Sequence, residues 1–255
     1  VTSLLAEPQD TERRFSGLSR LYGNASADRI RQSHMVVIGI GGVGSWAAEA
    51  LARSGVGKLT LIDMDHVSES NINRQLHALS STLGQSKVSA MAERIHQING
   101  DCRVNLVDEF VSPENIDDLM PEDAEVLIDA TDQVSAKVAL ATWAITHHKA
   151  MVTVGAAGGK KQAQLVELAD LTLVTHDPLL AQVRQRLRKS AVIPSDKTLS
   201  GIHAVFSKEP IVRPASEPGD ICNSDLNCHG YGSLVTVTAT FGHCAAGWAL
   251  NHFSD

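Results

Sequence analysis

The sequence predicts an α/β protein with a doubly wound, mostly parallel sheet, a C-terminal extension and a long crossover segment. Two observations carry this. Short β-branched runs alternate with amphipathic stretches through the first two-thirds of the chain, the pattern of consecutive βαβ units. A glycine cluster stands between the first such run and the first amphipathic stretch, where a doubly wound sheet places its ligand loop.

Taken in order, residues 1–33 read as an N-terminal helical segment and His34–Ile38 as the first strand, followed by a glycine loop and a helix over 45–53. Lys58–Ile62 is the second strand. A helix over 86–98 carries Val88, Met91, Ala92 and Ile95 at helical spacing. Arg103–Val107 is a third strand, 125–129 a fourth, 134–147 a helix and 151–154 a fifth strand. Beyond Gly155 the pattern breaks in Gly155-Ala156-Ala157-Gly158-Gly159; residues 164–168 then read as a strand and Pro178–Lys189 as a helix. Residues 190–232 are rich in Ser, Pro, Asp and Gly. They are longer than the roughly 12–15 residues of an idle loop, so they read as a mobile crossover. Residues 234–250 read as a buried strand-to-helix segment. Four polar residues interrupt it, and it falls short of the roughly 20 residues a membrane span needs.

Composition narrows the function. The 255 residues suffice for a large core without disulfide or metal staples. The formal net charge of −7 excludes a protein that coats nucleic acid non-specifically, so any RNA partner needs a local basic patch. Four cysteines, none in a Cys-x-x-Cys pair, form neither a disulfide framework nor a four-thiolate zinc site and read as reduced thiols in a cytosolic enzyme. The first thirty residues carry Arg13, Arg14, Arg20 and Asp28 and lack the apolar core of a signal segment.

Gly39-Ile40-Gly41-Gly42-Val43-Gly44 lets the backbone turn tightly and approach a phosphate, while the helix that follows offers free N–H groups and a positive dipole end. Asp63 lies 22 residues after Gly41 at the end of the second strand, where a carboxylate binds ribose hydroxyls. These features mean an adenine nucleotide and leave NAD and ATP open. The next residues choose. A triphosphate that loses pyrophosphate needs cations on its outer phosphates, and Arg74 and Lys87 are placed to supply them. Asp132 follows the fourth strand at the carboxyl edge of the sheet, where a carboxylate holds Mg²⁺ against phosphates.

The set made of residues 39–44, Gly55-Val56-Gly57, Asp63-Met64-Asp65, Ser70-Asn71-Ile72-Asn73-Arg74-Gln75, Lys87 and Asp132 resembles the adenylating superfamily. That superfamily is typified by ubiquitin-activating enzyme and its bacterial relatives in thiamin and molybdopterin synthesis. The resemblance implies a Rossmann-like ATP-binding domain over 34–155 and a substrate and dimerisation region over 156–255. It also implies attack of a substrate carboxylate on the α-phosphate of ATP. It assigns ATP binding to Gly39, Gly41, Gly42, Gly44, Asp63, Asp65, Asn71 and Gln75, catalysis to Arg74, Lys87 and Asp132, and Mg²⁺ to Asp132. Two departures narrow it. The paired zinc cysteines of the sulfur-carrier activators are missing. Arg14-Phe15-Ser16-Gly17 has glycine where the superfamily's N-terminal motif has a second arginine, which leaves Arg14 or Arg20 to reach a partner subunit's site.

Both departures suit one branch. Arg14-Phe15-Ser16-Gly17, Ser19-Arg20-Leu21-Tyr22-Gly23, the long run from Val37 to Arg53, Gln97-Ile98-Asn99, Asp177-Pro178-Leu179 and the run from Val235 to Gly242 resemble the tRNA threonylcarbamoyladenosine dehydratases. This implies ATP-dependent adenylation and cyclisation of a modified nucleoside beside the anticodon. It further implies a homodimer, a cysteine-desulfurase sulfur-transfer partner, a monovalent cation (K⁺ or Na⁺), a cytoplasmic location and no membrane. With the resemblance, the basic run Arg184, Arg186, Arg188 and Lys189 reads as a tRNA contact that Lys160, Lys161, Lys197 and Lys208 extend. Cys228 reads as a structural thiol, and His147-His148 as a complement to a helix dipole. The rival activities are an adenylyltransferase for the C-terminus of a small sulfur-carrier protein, an NAD-dependent dehydrogenase that would leave Arg74 and Lys87 without a task, and a binding module without catalysis.

Overall fold

A computed structural model describes residues 10–196, 198–212 and 231–254. Helices α1 (Thr11–Tyr22) and α2 (Asn24–Gln32) lead into β1 (His34–Ile38), α3 (Gly44–Arg53), β2 (Lys58–Ile62), α4 (Lys87–Ile98), β3 (Arg103–Val107) and the short α5 (Ile116–Leu119). The chain continues through β4 (Val126–Asp129), α6 (Val134–Thr146), β5 (Ala150–Val154), β6 (Val166–Asp170), α7 (Pro178–Lys189), β7 (His203–Ser207) and α8 (Val235–Asn251). The strands form one seven-stranded sheet in the order β3-β2-β1-β4-β5-β7-β6. Every pairing is parallel except that of β6 with β7. The doubly wound, mostly parallel class read from the sequence is the class observed.

Strand β1 lies at the centre and is buried along its whole length, as a strand covered on both faces must be. Its side chains alternate between two cores. Met35 and Val37 pack with Leu51, Met91, Ile95 and Phe241 on the face covered by α3, α4 and α8. Val36 and Ile38 pack with Leu140, Trp143, Leu180 and Leu187 on the face covered by α6 and α7. Helix α7 starts as its sequence dictates. The Asp177 carboxylate accepts the Leu180 N–H at 2.9 Å, and Pro178 occupies the first turn.

Three expectations need correction. Residues 234–250 do not begin as a strand: α8 is one helix throughout. The β-branched run from Val235 favours a strand by propensity, but Val237, Phe241, Ala245 and Ala249 recur every fourth residue and are buried together. Packing at that period overrides the propensity, and Gly242 permits it. A Cβ there would stand 2.5 Å from the Val43 carbonyl oxygen and 2.9 Å from Trp46 Cβ, so only glycine lets α8 lie this close to α3. The segment over 190–232 is not all crossover, because β7 lies within it and pairs with β5 and β6. Its mobile reading over 213–230, together with Cys222 and Cys228, lies outside the described residues. The strand read at 164–168 begins at Val166 after a 3-10 turn over Ala163–Leu165. Among the described residues no helix is long and apolar enough to cross a membrane.

Candidate functional site

A cleft of about 470 Å³ opens at the carboxyl ends of β1, β2, β4 and β5. Gly39, Gly41, Gly42, Asp63, Asp65, Asn71, Arg74, Gln75, Lys87 and Asp132 all line it. The topology explains the convergence, since each group follows a parallel strand or starts a helix at the same edge of the sheet.

The glycine loop is set by backbone geometry. Gly39 has φ +84°, and a Cβ there would stand 2.8 Å from the Ala130 carbonyl oxygen. The loop and the turn after β4 can therefore touch only with glycine at this place. Gly44 opens α3 directly after Gly41, Gly42 and Val43, which line the cleft; Gly44 itself is buried and is not among the lining residues. Asp63 ties the loop to β2: its Oδ2 accepts the Ile40 N–H at 2.6 Å and its Oδ1 accepts the Asp65 N–H at 2.8 Å. Burial raises its pKa, and Lys87 and the two backbone N–H groups oppose the rise. With two lone pairs engaged, the carboxylate keeps acceptor capacity for a pair of hydroxyls.

Lys87 reaches the site through a short antiparallel bridge between His66 and Ser86. Its backbone N–H donates to the Asp65 carbonyl at 3.0 Å and its ammonium to Asp65 Oδ2 at 2.6 Å. Asn71 caps a 3-10 turn, accepting the Ser68 N–H on Oδ1 at 3.0 Å. The turn presents Arg74, whose guanidinium donates to the Ser70 carbonyl at 2.7 Å and to Asn73 Oδ1 at 3.0 Å. The Arg74 carbonyl is held in turn by the Trp46 indole N–H of α3 at 3.0 Å. Gln75 is buried, and its Oε1 lacks a partner among the described residues.

Sequence reasoning missed what supports Asp132. Asp132 is exposed at the start of α6, and the turn that carries it is anchored by a fully buried pair, Lys137 Nζ with Asp129 Oδ2 at 3.1 Å. Thr153 Oγ1 adds a 2.6 Å bond to the same carboxylate oxygen. The charged letters at 129 and 137, eight residues apart across a strand end and a helix, were the available signal. Also missed were Phe110, half exposed after β3 and lining the cleft, and the turn after β5, which adds Ala156, Ala157 and Gly158 to the lining.

Other residues fall elsewhere. Arg14 lies outside the cleft, and its guanidinium donates to the Gln97 and Ile98 carbonyls at 3.2 and 2.8 Å, closing the C-terminal end of α4. Arg184, Arg186, Arg188 and Lys189 lie along α7. Arg186 and Lys189 are exposed, whereas Arg184 turns inward to the Leu171 and Val174 carbonyls at 3.1 and 2.8 Å, and Arg188 bonds the Pro194 and Asp196 carbonyls. Lys160 does not extend this run on the surface. It is 3% exposed and donates to the Ser207 and Glu209 carbonyls, with burial lowering its pKa against Asp177 and Glu209. Lys208 pairs with Glu167 at 2.8 Å. Lys197 lies outside the described residues. His147 closes α6 with its Nδ1 2.9 Å from the Trp143 carbonyl oxygen.

The lining suits a nucleoside triphosphate: Phe110 is aromatic, Asp63 supplies a carboxylate, the glycine loop an approachable backbone, Arg74 and Lys87 two cations, and Asp132 an exposed carboxylate. The ThiF family profile matches residues 14–254. The tRNA threonylcarbamoyladenosine dehydratase of Haemophilus influenzae is 44% identical over 95% of this chain and 94% of its own length. The Escherichia coli protein of the same name is 43% identical over 93% of this chain and 92% of its own. The solved structure of the Escherichia coli tRNA N6-threonylcarbamoyladenosine dehydratase in complex with ATP superposes with a TM-score of 0.87 at 42% identity, covering 96% of each chain.

Proposed function

The chain belongs to the ThiF family, and from that premise we propose that it is an ATP-dependent tRNA threonylcarbamoyladenosine dehydratase. The observation that carries this reading is the convergence of Asp63, Arg74, Lys87 and Asp132 on one cleft behind the glycine loop.

A carboxylate is a poor electrophile because its oxygen is a poor leaving group. The threonyl carboxylate of the modified nucleoside attacks the α-phosphorus of ATP, pyrophosphate leaves, and an acyl adenylate forms. The ureido group of the same side chain then closes on the acyl carbon and expels AMP, with net loss of one water from the nucleoside. In this reading Asp63 binds ribose hydroxyls, and Asn71, Arg74 and Lys87 bind phosphates, the two cations stabilising charge that develops on pyrophosphate. The second step is intramolecular within the substrate, so positioning supplies much of its acceleration and no protein nucleophile is needed.

Mg²⁺ fits the residues present. Among the described residues no group of three His, Cys, Asp or Glu side chains could cage a metal, whereas Asp132 offers one exposed carboxylate in the cleft. One carboxylate plus substrate phosphates is how Mg²⁺ is commonly bound. When bound, the ion neutralises phosphate charge. The exposed cations Arg186 and Lys189 serve tRNA in this reading. A homodimer in which Arg14 or Arg20 reaches the partner's cleft, a monovalent cation, a cysteine-desulfurase partner and cytoplasmic action belong to it by resemblance.

The test is mass spectrometry of nucleosides from tRNA bearing threonylcarbamoyladenosine, incubated with the protein, Mg²⁺ and ATP and digested mildly. Loss of the mass of one water, dependent on ATP, is expected. An unchanged nucleoside from ATP-binding protein overturns the reading and directs attention to carrier-protein C-termini, assayed by pyrophosphate exchange.

A further inference from the structure

In the turn after β5, two successive buried residues carry backbone N–H groups that have no acceptor among the described residues. Ala157 is 5% exposed and Gly158 is buried. Among the described residues neither N–H has a hydrogen-bond partner. Both residues line the cleft, so N–H groups without a partner among the described residues are available to an acceptor that enters it.

The surroundings hold this pair in place. On one side the Gly155 N–H donates to the Val205 carbonyl at 2.8 Å and the Ala156 N–H to Asp177 Oδ2 at 2.9 Å. On the other, the Gly159 N–H donates to the Gly232 carbonyl at 3.0 Å, and the Gly159 carbonyl accepts the Val212 N–H at 2.8 Å. Beyond these, Lys160 Nζ donates to the Glu209 carbonyl at 2.8 Å, and the Glu209 carboxylate accepts the Lys161 and Gln162 N–H groups at 2.9 and 2.8 Å. Donors fixed in this way need no reorganisation when charge appears beside them.

Their place in the cleft indicates which charge. Ala157 and Gly158 line the same cleft as Asp63, Lys87 and Asp132. Along the carboxyl edge the strand order sets Asp63 after β2, the glycine loop after β1, Asp132 after β4 and the two N–H groups after β5. A nucleotide with its ribose at Asp63 and its phosphates over the glycine loop directs an acyl group on the α-phosphate toward β4 and β5.

Building on the dehydratase reading, we propose that the Ala157 and Gly158 N–H groups form the oxyanion hole of the cyclisation step. A ureido heteroatom forms a bond to the acyl carbon, and the carbonyl π pair moves onto oxygen, where the two N–H groups receive it. The pair then returns to re-form the carbonyl, the acyl carbon–oxygen bond to AMP breaks, and the ureido N–H proton passes to solvent. In the first step attack falls on phosphorus and no such oxyanion forms, so the pair favours the second step selectively.

Replacing Ala157 by lactic acid turns its N–H into an ester oxygen without touching a side chain. Single-turnover reactions with ATP and modified tRNA then separate pyrophosphate release from formation of the cyclic nucleoside. The expected result is cyclisation slowed by roughly 10²–10³-fold relative to pyrophosphate release, with acyl adenylate accumulating. Unchanged cyclisation, or equal slowing of both steps, overturns the proposal. Should the ester chain not fold, the amide proton shifts of Ala157 and Gly158 in the unmodified protein report the same contact. With a phosphonate mimic of the tetrahedral adduct, downfield movement of both supports it and unmoved signals overturn it. An unmodified protein that releases no pyrophosphate against modified tRNA overturns the dehydratase reading itself, and this role with it.

Discussion

The Lys87 ammonium lies 2.6 Å from Asp65 Oδ2, and its side chain is only 7% exposed while that of Asp65 is 54% exposed. Asp63 Oδ1 is 3.9 Å away on the other side. A cation buried at the mouth of a glycine loop and held by a carboxylate that can turn to solvent is ready to exchange that partner for a phosphate. Lys87→Ala is expected to slow pyrophosphate release by roughly 10²–10³-fold, the effect of losing one preorganised donor. Asp65→Asn removes only the exposed partner and should cost far less. Pyrophosphate release with saturating ATP measures both, and an equal loss in the two variants would contradict the role given to Lys87.

Lys137 and Asp129 make a different prediction because neither side chain is exposed at all. Lys137→Met leaves a carboxylate buried without its counter-charge, which typically costs about 3–5 kcal/mol of stability. Asp129→Asn combined with Lys137→Met removes both charges and should be less destabilised than the single variant, giving a favourable coupling in a double-mutant cycle. Urea denaturation measures this. The same single change should raise the KM for ATP, since the pair anchors the turn that carries Asp132.

His77 contributes a pH dependence. It is 2% exposed, and among the described residues neither ring nitrogen has a partner. Burial, and secondarily the Lys87 cation, push its pKa down to about 4 from the ordinary 6.5. The unfolded chain therefore takes up a proton on this ring before the folded chain does. The stability is present in full above pH 6.5 and is lost as pH falls toward 4, by about 3 kcal/mol for a shift of this size. His77→Leu should keep the stability measured at pH 7.5 and lose that part of the slope. Denaturation curves for parent and variant at pH 7.5 and 4.5 decide it, and identical slopes would count against the assignment.

What could be read from the letters follows from where the information resides. Strand β1 is four apolar residues after a buried histidine, beside a glycine that must adopt φ +84°, so the centre of the sheet and its ligand loop were legible together. Asp63, Arg74, Lys87 and Asp132 were legible because a parallel sheet delivers its strand ends, and the segments that follow them, to one edge. Strand β7 was not, since His203-Ala204-Val205-Phe206-Ser207 is short and stands in loop-like composition, and its state is decided by pairing with β5 and β6. The first half of α8 misled by its β-branched residues, which Gly242 and the packing on α3 overrule. The N–H groups of Ala157 and Gly158, without an acceptor among the described residues, leave no trace in the letters, because a backbone amide is the same in every residue but proline.

The basic run of α7 divides by orientation, which sequence alone cannot assign. Arg184 is held by two backbone carbonyls, those of Leu171 and Val174, while Arg186 and Lys189 are exposed. Arg184→Ala should therefore lower stability by about 1–3 kcal/mol, the range for losing hydrogen bonds from a charged donor, and leave tRNA affinity unchanged. Replacing Arg186 and Lys189 together by Glu should leave the melting temperature nearly unchanged. If both contact phosphates, that double variant weakens tRNA binding at every sequence and reduces the salt slope of log K by about 1 per contact. Filter binding across a salt series, set beside thermal unfolding, separates the two. If Arg184→Ala weakens tRNA binding as much as the double replacement does, the whole run acts as one surface and the inward role of Arg184 is wrong. If neither affects binding, the tRNA lies on another face of the protein.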